Sequence, residues 1–440
     1  MFRVPTAALP AAFSQGNERI IALDVLRGIS VLGILLMNIV AFGLPNAYYD
    51  PTQAGGAEGV NLLVWGITSL SVEGVFRGLF TLLFGAGVVL YTQRLERAGT
   101  DSVVLYYRRT LWLIVFGLLD AYLLLWYGDI LFLYGLVGLI LYLFRHLRVS
   151  RLLWVAIPLL CLQTIMGLQT YKEFTGLQNK AIAFQQERAE GNTLSRQQQQ
   201  KIEHYEAWVA YDTPTAEDQA ETIEGKRGSY ASAFETTSEE FYFMQTEYLF
   251  PQGILEVLGM MLLGMALVKT GFLTAQWSKR RYLWVLGLGW GIGLLVNGFE
   301  TIWQIQHRFE LKALMLATTV TYDLGRIPMT LGHVAAIMLM VRSGWLRDLL
   351  HLFACTGQMA LTNYLAQSMI ALFLFTGAGL AWFGQLERYQ LYYVVLAVWL
   401  LQLAWSRLWL SYFRFGPMEW VWRSLTRWQR QPIWRNVSTC

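Results

Sequence analysis

Charge is scarce in this chain: Asp, Glu, Lys and Arg together make 15% of its 440 residues, and the net charge is only +4. So thin a basic excess carries no nucleic-acid footprint. Three cysteines and five histidines are too few and too scattered for a zinc or iron–sulfur framework. Cys161 and Cys355 sit in apolar segments as small buried hydrophobes, and Cys440 ends the sequence without a prenylation box. The first 18 residues, MFRVPTAALPAAFSQGNE, have no continuous apolar core and do not read as a cleavable signal. No metal site is expected.

What the chain has instead is apolar length. Hydrophobic residues make up 55% of it, in repeated runs long enough to cross a bilayer, for which about 20 helical residues suffice. The expected fold is an all-α polytopic membrane protein of ten helices. They fall at roughly 22–44, 60–91, 109–126, 129–145, 150–170, 248–269, 281–299, 325–342, 350–376 and 390–410. The second is too long for one straight span and is expected to tilt, or to break near Glu73-Gly74. Residues 309–322 read as a further short interfacial helix.

Basic residues set the orientation. Arg94, Arg97, Arg108 and Arg109, then Arg145, Arg148 and Arg151, then Lys269 to Arg281, Arg342, Arg347 and the tail arginines all fall on one side of this arrangement. The positive-inside rule makes that side, with both termini, cytoplasmic. Residues 171–247 form one large polar insertion on the other side, with two exposed helices turning at Gly191-Asn192. It divides the chain into a five-helix half (1–170) and a second half with a cytoplasmic tail (248–440). No internal repeat relates the halves.

Polar residues inside the spans carry the functional reading, because an ionisable group in hydrocarbon is costly to keep. Asp24 and Arg27 share a helical face, and Arg27 has the fork that binds oxyanions. Asn38 lies eleven residues beyond it in the same run. Glu73 and Arg77, four apart, read as an acid/base beside an anion contact, or as a self-neutralising pair. Asp120 reads as a buried partner for an arginine, Asp129 as a helix N-cap. Glu256 is a lone carboxylate, and His333 a weak alternative base. Asn363 and Gln367, on one face of TNYLAQS, make the most polar patch of any span. Glu419 and Arg423 belong to an interfacial anchoring helix.

Five stretches bear a resemblance: LDVLRG with LLMNI in residues 23–39, FRGLFTLLFGAG (Phe76 to Gly87), YGDILFLYGLVG (Tyr127 to Gly138), GQMALTNYLAQS (Gly357 to Ser368) and FGPMEWVWRSLT (Phe415 to Thr426). In order and over most of the chain, they resemble the YeiB-like membrane proteins, the domain of unknown function 418. That resemblance implies a relation to the transmembrane acyltransferase superfamily, which includes heparan-glucosaminide acetyltransferase, and a place in a bacterial cytoplasmic (inner) membrane.

Many membrane acyltransferases carry histidine where this chain has Asn38. The heparan-glucosaminide relatives keep Asn there and their catalytic histidine in the following loop. Here that loop, GLPNAYYDPTQAGGAEGVN, has no histidine, so a base falls to Glu73 or Asp50, with Glu58 behind them. The leading expectation is an acyl-group transferase taking a cytoplasmic acyl donor, an acyl-CoA, to an envelope sugar or another hydroxyl or amine. Arg27 and Arg77 contact the donor, and Asp24, Asn38, Asp120, Asn363 and Gln367 line the binding path. No bound cofactor is expected; the partners are the bilayer and the acceptor, and a homodimer is left open. The rival is a small-solute transporter, best marked by broken helices in both halves. A non-catalytic scaffold is the third reading.

Overall fold

The computed structural model describes residues 21–248 and 253–435, so the readings of residues 1–18 and of Cys440 fall outside it. Among the described residues the chain is helical, with no strand. Before the insertion come α1 (Ile21–Gly43), α2 (Gly59–Ser71), α3 (Val75–Arg97), α4 (Ser102–Leu123), α5 (Leu131–Leu141) and α6 (Val149–Ala189). The insertion holds α7 (Arg196–Asp212), α8 (Ala216–Arg227) and α9 (Tyr230–Gln245). Then follow α10 (Ile254–Lys269), α11 (Lys279–Gln306), α12 (Leu311–Met315), α13 (Tyr322–Ser343), α14 (Arg347–Gln358), α15 (Ala360–Phe375), α16 (Arg388–Tyr412) and α17 (Pro417–Arg427). The start of the helix expected at 248–269 lies partly in the undescribed residues 249–252.

Seven helices, counting α2 with α3 as one, are long and apolar enough to cross a bilayer, and shorter apolar helices occupy 131–144, 311–320 and 360–375. Apolar side chains also cover the outside: Trp154 on α6 is 80% exposed and Leu295 on α11 is 76% exposed. A soluble protein does not present whole helices of this kind to water. This is a membrane protein.

Two expected boundaries move. α6 does not stop near 170 but continues for 41 residues, about 60 Å at 1.5 Å per residue, twice the hydrocarbon thickness. Its second half, rich in Gln, Lys and Glu, is a good helix former and stands beyond the apolar layer. The turn at Gly191-Asn192 is present, but the insertion holds two further helices, α8 and α9, whose starts are capped by Thr215 and Ser229.

The long second helix breaks at Val72-Glu73-Gly74, as its length required. Gly74 takes φ +71°, and a Cβ there would lie 2.6 Å from the Tyr322 hydroxyl, so only glycine fits. A second break was not foreseen: the helix expected at 350–376 ends as α14 and restarts as α15 around Met359. At each break an asparagine amide takes a freed backbone carbonyl. Asn297 donates to Leu70 O (3.0 Å) and Asn363 to Thr356 O (3.1 Å). Such compensation is what a break within an apolar layer demands.

The core is organised by two matching crossings. α1 crosses α14 where Gly28 and Gly357 meet: a Cβ on either would lie 1.9 Å from the backbone oxygen of Phe353 or Asp24. α3 crosses α10 in the same way, with Gly85 against Met261 O (1.9 Å) and Gly264 against Leu82 O (2.0 Å). Small residues thus let backbones touch, the usual way helices associate in lipid. In each case the first helix of one half packs on the broken helix of the other.

The basic connections gather at one end of the bundle. Lys269 Nζ donates to Arg145 O and Leu147 O (both 2.7 Å), Arg342 to Ala275 O (2.8 Å), and Trp422 Nε1 to Arg109 O (2.8 Å). At the opposite end the insertion docks: Gln219 donates to Gln53 Oε1 (2.7 Å), Arg227 to Phe383 O (2.6 Å) and the Gly377 amide to Lys226 O (3.0 Å).

Candidate functional site

The break before α3 releases Glu73 from helical geometry, and its partner is not the one that spacing alone implies. Glu73 and Arg77 do not pair across one helix face, because Glu73 precedes the first residue of α3. Instead Glu73 Oε2 accepts from Arg326 Nε (3.0 Å) and Nη2 (2.7 Å), and Oε1 accepts from the Tyr322 hydroxyl (2.9 Å). Arg77 pairs with Glu256 at the start of α10 (2.8 Å) and donates to the hydroxyls of Tyr248 (3.0 Å) and Tyr322 (3.2 Å). Glu256, expected as a lone carboxylate, therefore has a counterion.

Arg326 has a second carboxylate, Glu300 on α11, in direct contact, and reaches Asn297 Oδ1 at 3.4 Å. Glu300 Oε1 is buried without a hydrogen bond among the described residues. Asp323 lies in electrostatic reach of Glu256 and both arginines. One network therefore joins four helices and the α2–α3 break: Glu300, Arg326, Glu73, Tyr322, Arg77 and Glu256, in that sequence. The Tyr322 hydroxyl is its hinge, accepting from Arg77 while donating to Glu73.

Exposure separates the two cations. The Arg326 side chain is 6% exposed and that of Arg77 is 28%. Arg326 is an internal counterion; Arg77 has an open edge for an anionic or carbonyl group. Tyr48 and Tyr49, from the first loop, also lie in electrostatic reach of Glu73 and Arg77. These four tyrosines escaped sequence reasoning, which weighed carboxylates and histidines. A YY pair in a loop beside buried charge was the available signal.

The other expected residues fall elsewhere. Asp50 is buried in that loop, where its carboxylate accepts from the Thr52 amide (2.8 Å) and hydroxyl (2.6 Å) and from Gln53 (3.1 Å). That is a turn-forming role. Asn38 is half-buried and makes no hydrogen bond among the described residues. Asn363 and Gln367 are ties: Asn363 donates to Ser406 (3.0 Å) and accepts from Trp405 (2.6 Å), while Gln367 donates to Val31 O and Gln402 (both 3.0 Å). They knit α15 to α1 and α16 rather than line open space. His333 contacts Met329 O (2.9 Å) through Nδ1.

Among the described residues Asp120 has no arginine partner. Its neighbour is a second carboxyl, Asp129, which accepts from the Phe132 amide (2.8 Å) and so caps α5 as expected. Glu419 accepts from the Leu361 and Thr362 amides (2.7 and 3.2 Å) and from the Thr362 hydroxyl (2.6 Å), and so caps α15 at its break.

The basic end holds the second charged group. Arg27 meets Asp24 at 3.2 Å and keeps 34% exposure. Arg109 stacks on Trp422 (3.6 Å) and on Tyr91 (4.8 Å), has no carboxylate partner among the described residues, and feels both Arg27 and Arg423. Arg27 lies level with Gly87, ten residues along α3 from Arg77, about 15 Å away in depth. The two arginines therefore belong to opposite ends of one α1–α3 seam, not to one pocket. Among the described residues no cluster of three or more His, Cys, Asp and Glu side chains could hold a metal.

Comparison with known proteins agrees with the motif reading. The family model described as protein of unknown function (DUF418) matches residues 267–429, the part carrying Glu300, Tyr322 and Arg326. The chain is 32% identical over 430 residues to the uncharacterized protein YxaH of Bacillus subtilis strain 168, covering 95% of this chain and 96% of that one. It is 30% identical over 414 residues to the uncharacterized protein YeiB of Escherichia coli K12, covering 93% and 96%. No solved structure gives a significant match.

Proposed function

The chain belongs to the YeiB-like family of proteins of unknown function (DUF418), and from that premise we propose that it is a membrane-embedded acyl-group transferase related to the transmembrane acyltransferase superfamily. It carries an acyl group from a cytoplasmic acyl-CoA to a hydroxyl or amine acceptor of the cell envelope. The reading includes ten crossings (α1, α2–α3, α4, α5, the first half of α6, α10, α11, α13, α14–α15 and α16). It puts the basic end in the cytoplasm, the insertion outside, and the protein in a bacterial inner membrane. The bilayer is the standing partner, and no resident cofactor is invoked.

The observation that carries this reading is the α1–α3 seam, with a guanidinium cluster at its basic end and an acid–tyrosine–arginine network near its other end. Arg27, supported by Arg109, suits the phosphates of the donor. Arg77, with its open edge, suits the thioester oxygen as negative charge develops on it. The acceptor oxygen or nitrogen attacks the thioester carbon, the carbon–sulfur bond breaks, and the sulfur leaves as a thiolate that takes the acceptor's proton back from Glu73 by way of Tyr322 and departs as the thiol. The acceptor proton passes to the Tyr322 hydroxyl as Tyr322 hands its own to Glu73. Asp50 is the other base in reach of the outside. The test is calorimetric titration of the purified protein with acetyl-CoA and longer acyl-CoAs, beside Arg27→Ala. Saturable binding that the substitution abolishes supports the reading; no binding by a folded sample ends it.

One observation favours a second reading, transport of a small solute. Both halves contain a broken helix, one broken near the insertion end and one nearer the basic end, and each packs on the first helix of the other half. That arrangement suits a pathway between halves of opposite orientation. Uptake of a solute by proteoliposomes, absent from Glu73→Gln, would establish it in place of transfer.

A further inference from the structure

Asp120 is the most deeply buried carboxylate of the chain without a cation. It is 0% exposed, in the last turns of α4, and neither of its oxygens completes a hydrogen bond among the described residues. Its polar neighbours are the Ser368 hydroxyl on α15 and the carboxyl of Asp129. Asp129 is held by the Phe132 amide (2.8 Å) and by the Tyr364 hydroxyl on α15 (3.4 Å), which in turn accepts from the Ile130 amide (3.2 Å). Gly117 permits this approach: a Cβ there would lie 2.5 Å from Asp129 Oδ2.

A second observation converges on the same place. The Trp126 indole N–H is also buried without an acceptor, and it points toward the Tyr364 hydroxyl. From outside, α9 covers the group, packing Ala233 and Phe241 on Ala121 and Leu125. The Lys226 ammonium of α8 lies over the Tyr127 ring at 5.6 Å with Glu240 beside it, and so is engaged elsewhere. Facing Asp120 are therefore Asp129 from the α4–α5 turn, Tyr364 and Ser368 from α15, and, among the described residues, no positive charge.

We propose that Asp120 and Asp129 form a proton-binding dyad, one proton held between the two carboxyls. Two bare carboxylates side by side in a low-dielectric interior repel, and neither has a counterion to offset desolvation. Asp129 accepts an amide and a phenol hydrogen bond and is suited to stay anionic, while Asp120, with only the Ser368 hydroxyl as a neighbouring donor, carries the proton and gives its O–H to Asp129. The pair titrates as a unit. A proton site of this kind, roofed by the insertion, belongs to neither charged group of the α1–α3 seam, and it stands or falls separately from acyl transfer.

The test is infrared spectroscopy of the full-length protein in lipid nanodiscs at neutral pH, with aspartate isotopically labelled at its side-chain carboxyl to separate it from glutamate. The expected result is a protonated-aspartate carbonyl band that shifts in deuterium oxide, disappears in Asp120→Asn, and moves in frequency in Asp129→Asn. Asparagine is the neutral isostere of the protonated acid, so Asp120→Asn is expected to fold. Should it not, the shift in Asp129→Asn decides. Absence of the band in the wild type, its survival in Asp120→Asn, or an unmoved frequency in Asp129→Asn would overturn the proposal. So would a band seen only when sodium is replaced by choline, since the dyad would then hold a metal cation.

Discussion

Arg326→Met makes the sharpest demand on the charged network. Arg326 is the counterion of two buried carboxylates at once, Glu73 at 2.7 Å and Glu300 in direct contact. A pair at that separation attracts with about 6 kcal/mol at an effective dielectric near 20. Removing the cation loses both attractions and leaves two like charges facing each other. Glu73 still has the Tyr322 hydroxyl and Glu300 the neighbouring Thr321 hydroxyl, neither of which carries charge. Breaking a buried pair from one side costs about 3–5 kcal/mol, so a loss at the upper end of that range is expected in denaturant unfolding of the detergent-solubilised protein. Adding Glu73→Gln and Glu300→Gln removes the uncompensated charge and restores most of the loss, since a neutral buried cluster can match an ionic one. If Arg326→Met unfolds like the wild type, or if the triple variant is no better than the single one, the ion-pair account is wrong.

Three further outcomes follow from particular contacts. Gly28→Ala drives a methyl into Phe353 O, whereas Gly287→Ala on α11 meets nothing within 4 Å. The first is expected to cost about 1–3 kcal/mol or more and the second to be neutral, read as paired melting curves. Burial pushes the Glu419 carboxyl above its ordinary value of 4.5, against the hydrogen bonds it accepts. Its folded-state value exceeds the unfolded one, so its share of stability is fully present below the ordinary value. That share is lost as pH rises through the raised one, and Glu419→Gln flattens this slope; parallel pH profiles would refute it. A cysteine placed at Gly191, in a background without the native cysteines, is expected to react with an impermeant maleimide on intact cells, and one at Gly99 only after permeabilisation. The reverse pattern would invert the topology.

Where hydrophobic length was the signal, sequence and structure agree: the apolar helices, the short helix at 311–320, and the break beside Glu73-Gly74. A span too long to be straight and a glycine flanked by charge are local facts, legible without a partner. The break at Met359 had no such mark, because α14 and α15 together are an ordinary length and the compensating groups, Glu419 and Asn363, come from far along the chain or from within the polar patch itself. The same holds for the charge partners. The i, i+4 rule that paired Glu73 with Arg77 assumes an unbroken helix. Glu73 lies at the break before α3, and its partners, Tyr322 and Arg326, are on α13. Asp120 failed for a different reason: scarcity of charge implied a cation partner, and the fold supplies a second acid.

The breaks explain why the buried charge sits where it does. A continuous helix satisfies its own backbone and can pass through an apolar layer as a plain cylinder; an interrupted one leaves donors and acceptors that something must meet. Around Val72-Glu73-Gly74 the chain answers with Asn297, and the polar neighbours that accompany it, Glu300 and Arg326, bring a charged set into the core. Around Met359 the answer is Asn363 and Glu419, an amide and a single carboxylate, which complete the backbone. The two breaks are alike in backbone and unlike in charge. Of the two, the break at Glu73 keeps an exposed edge of Arg77 and tyrosines from an outer loop, whereas the one at Met359 spends its polar groups on helix ties. Substitutions that empty the second, such as Asn363→Leu, are therefore expected to act on folding, read as a lower melting temperature of the detergent-solubilised protein.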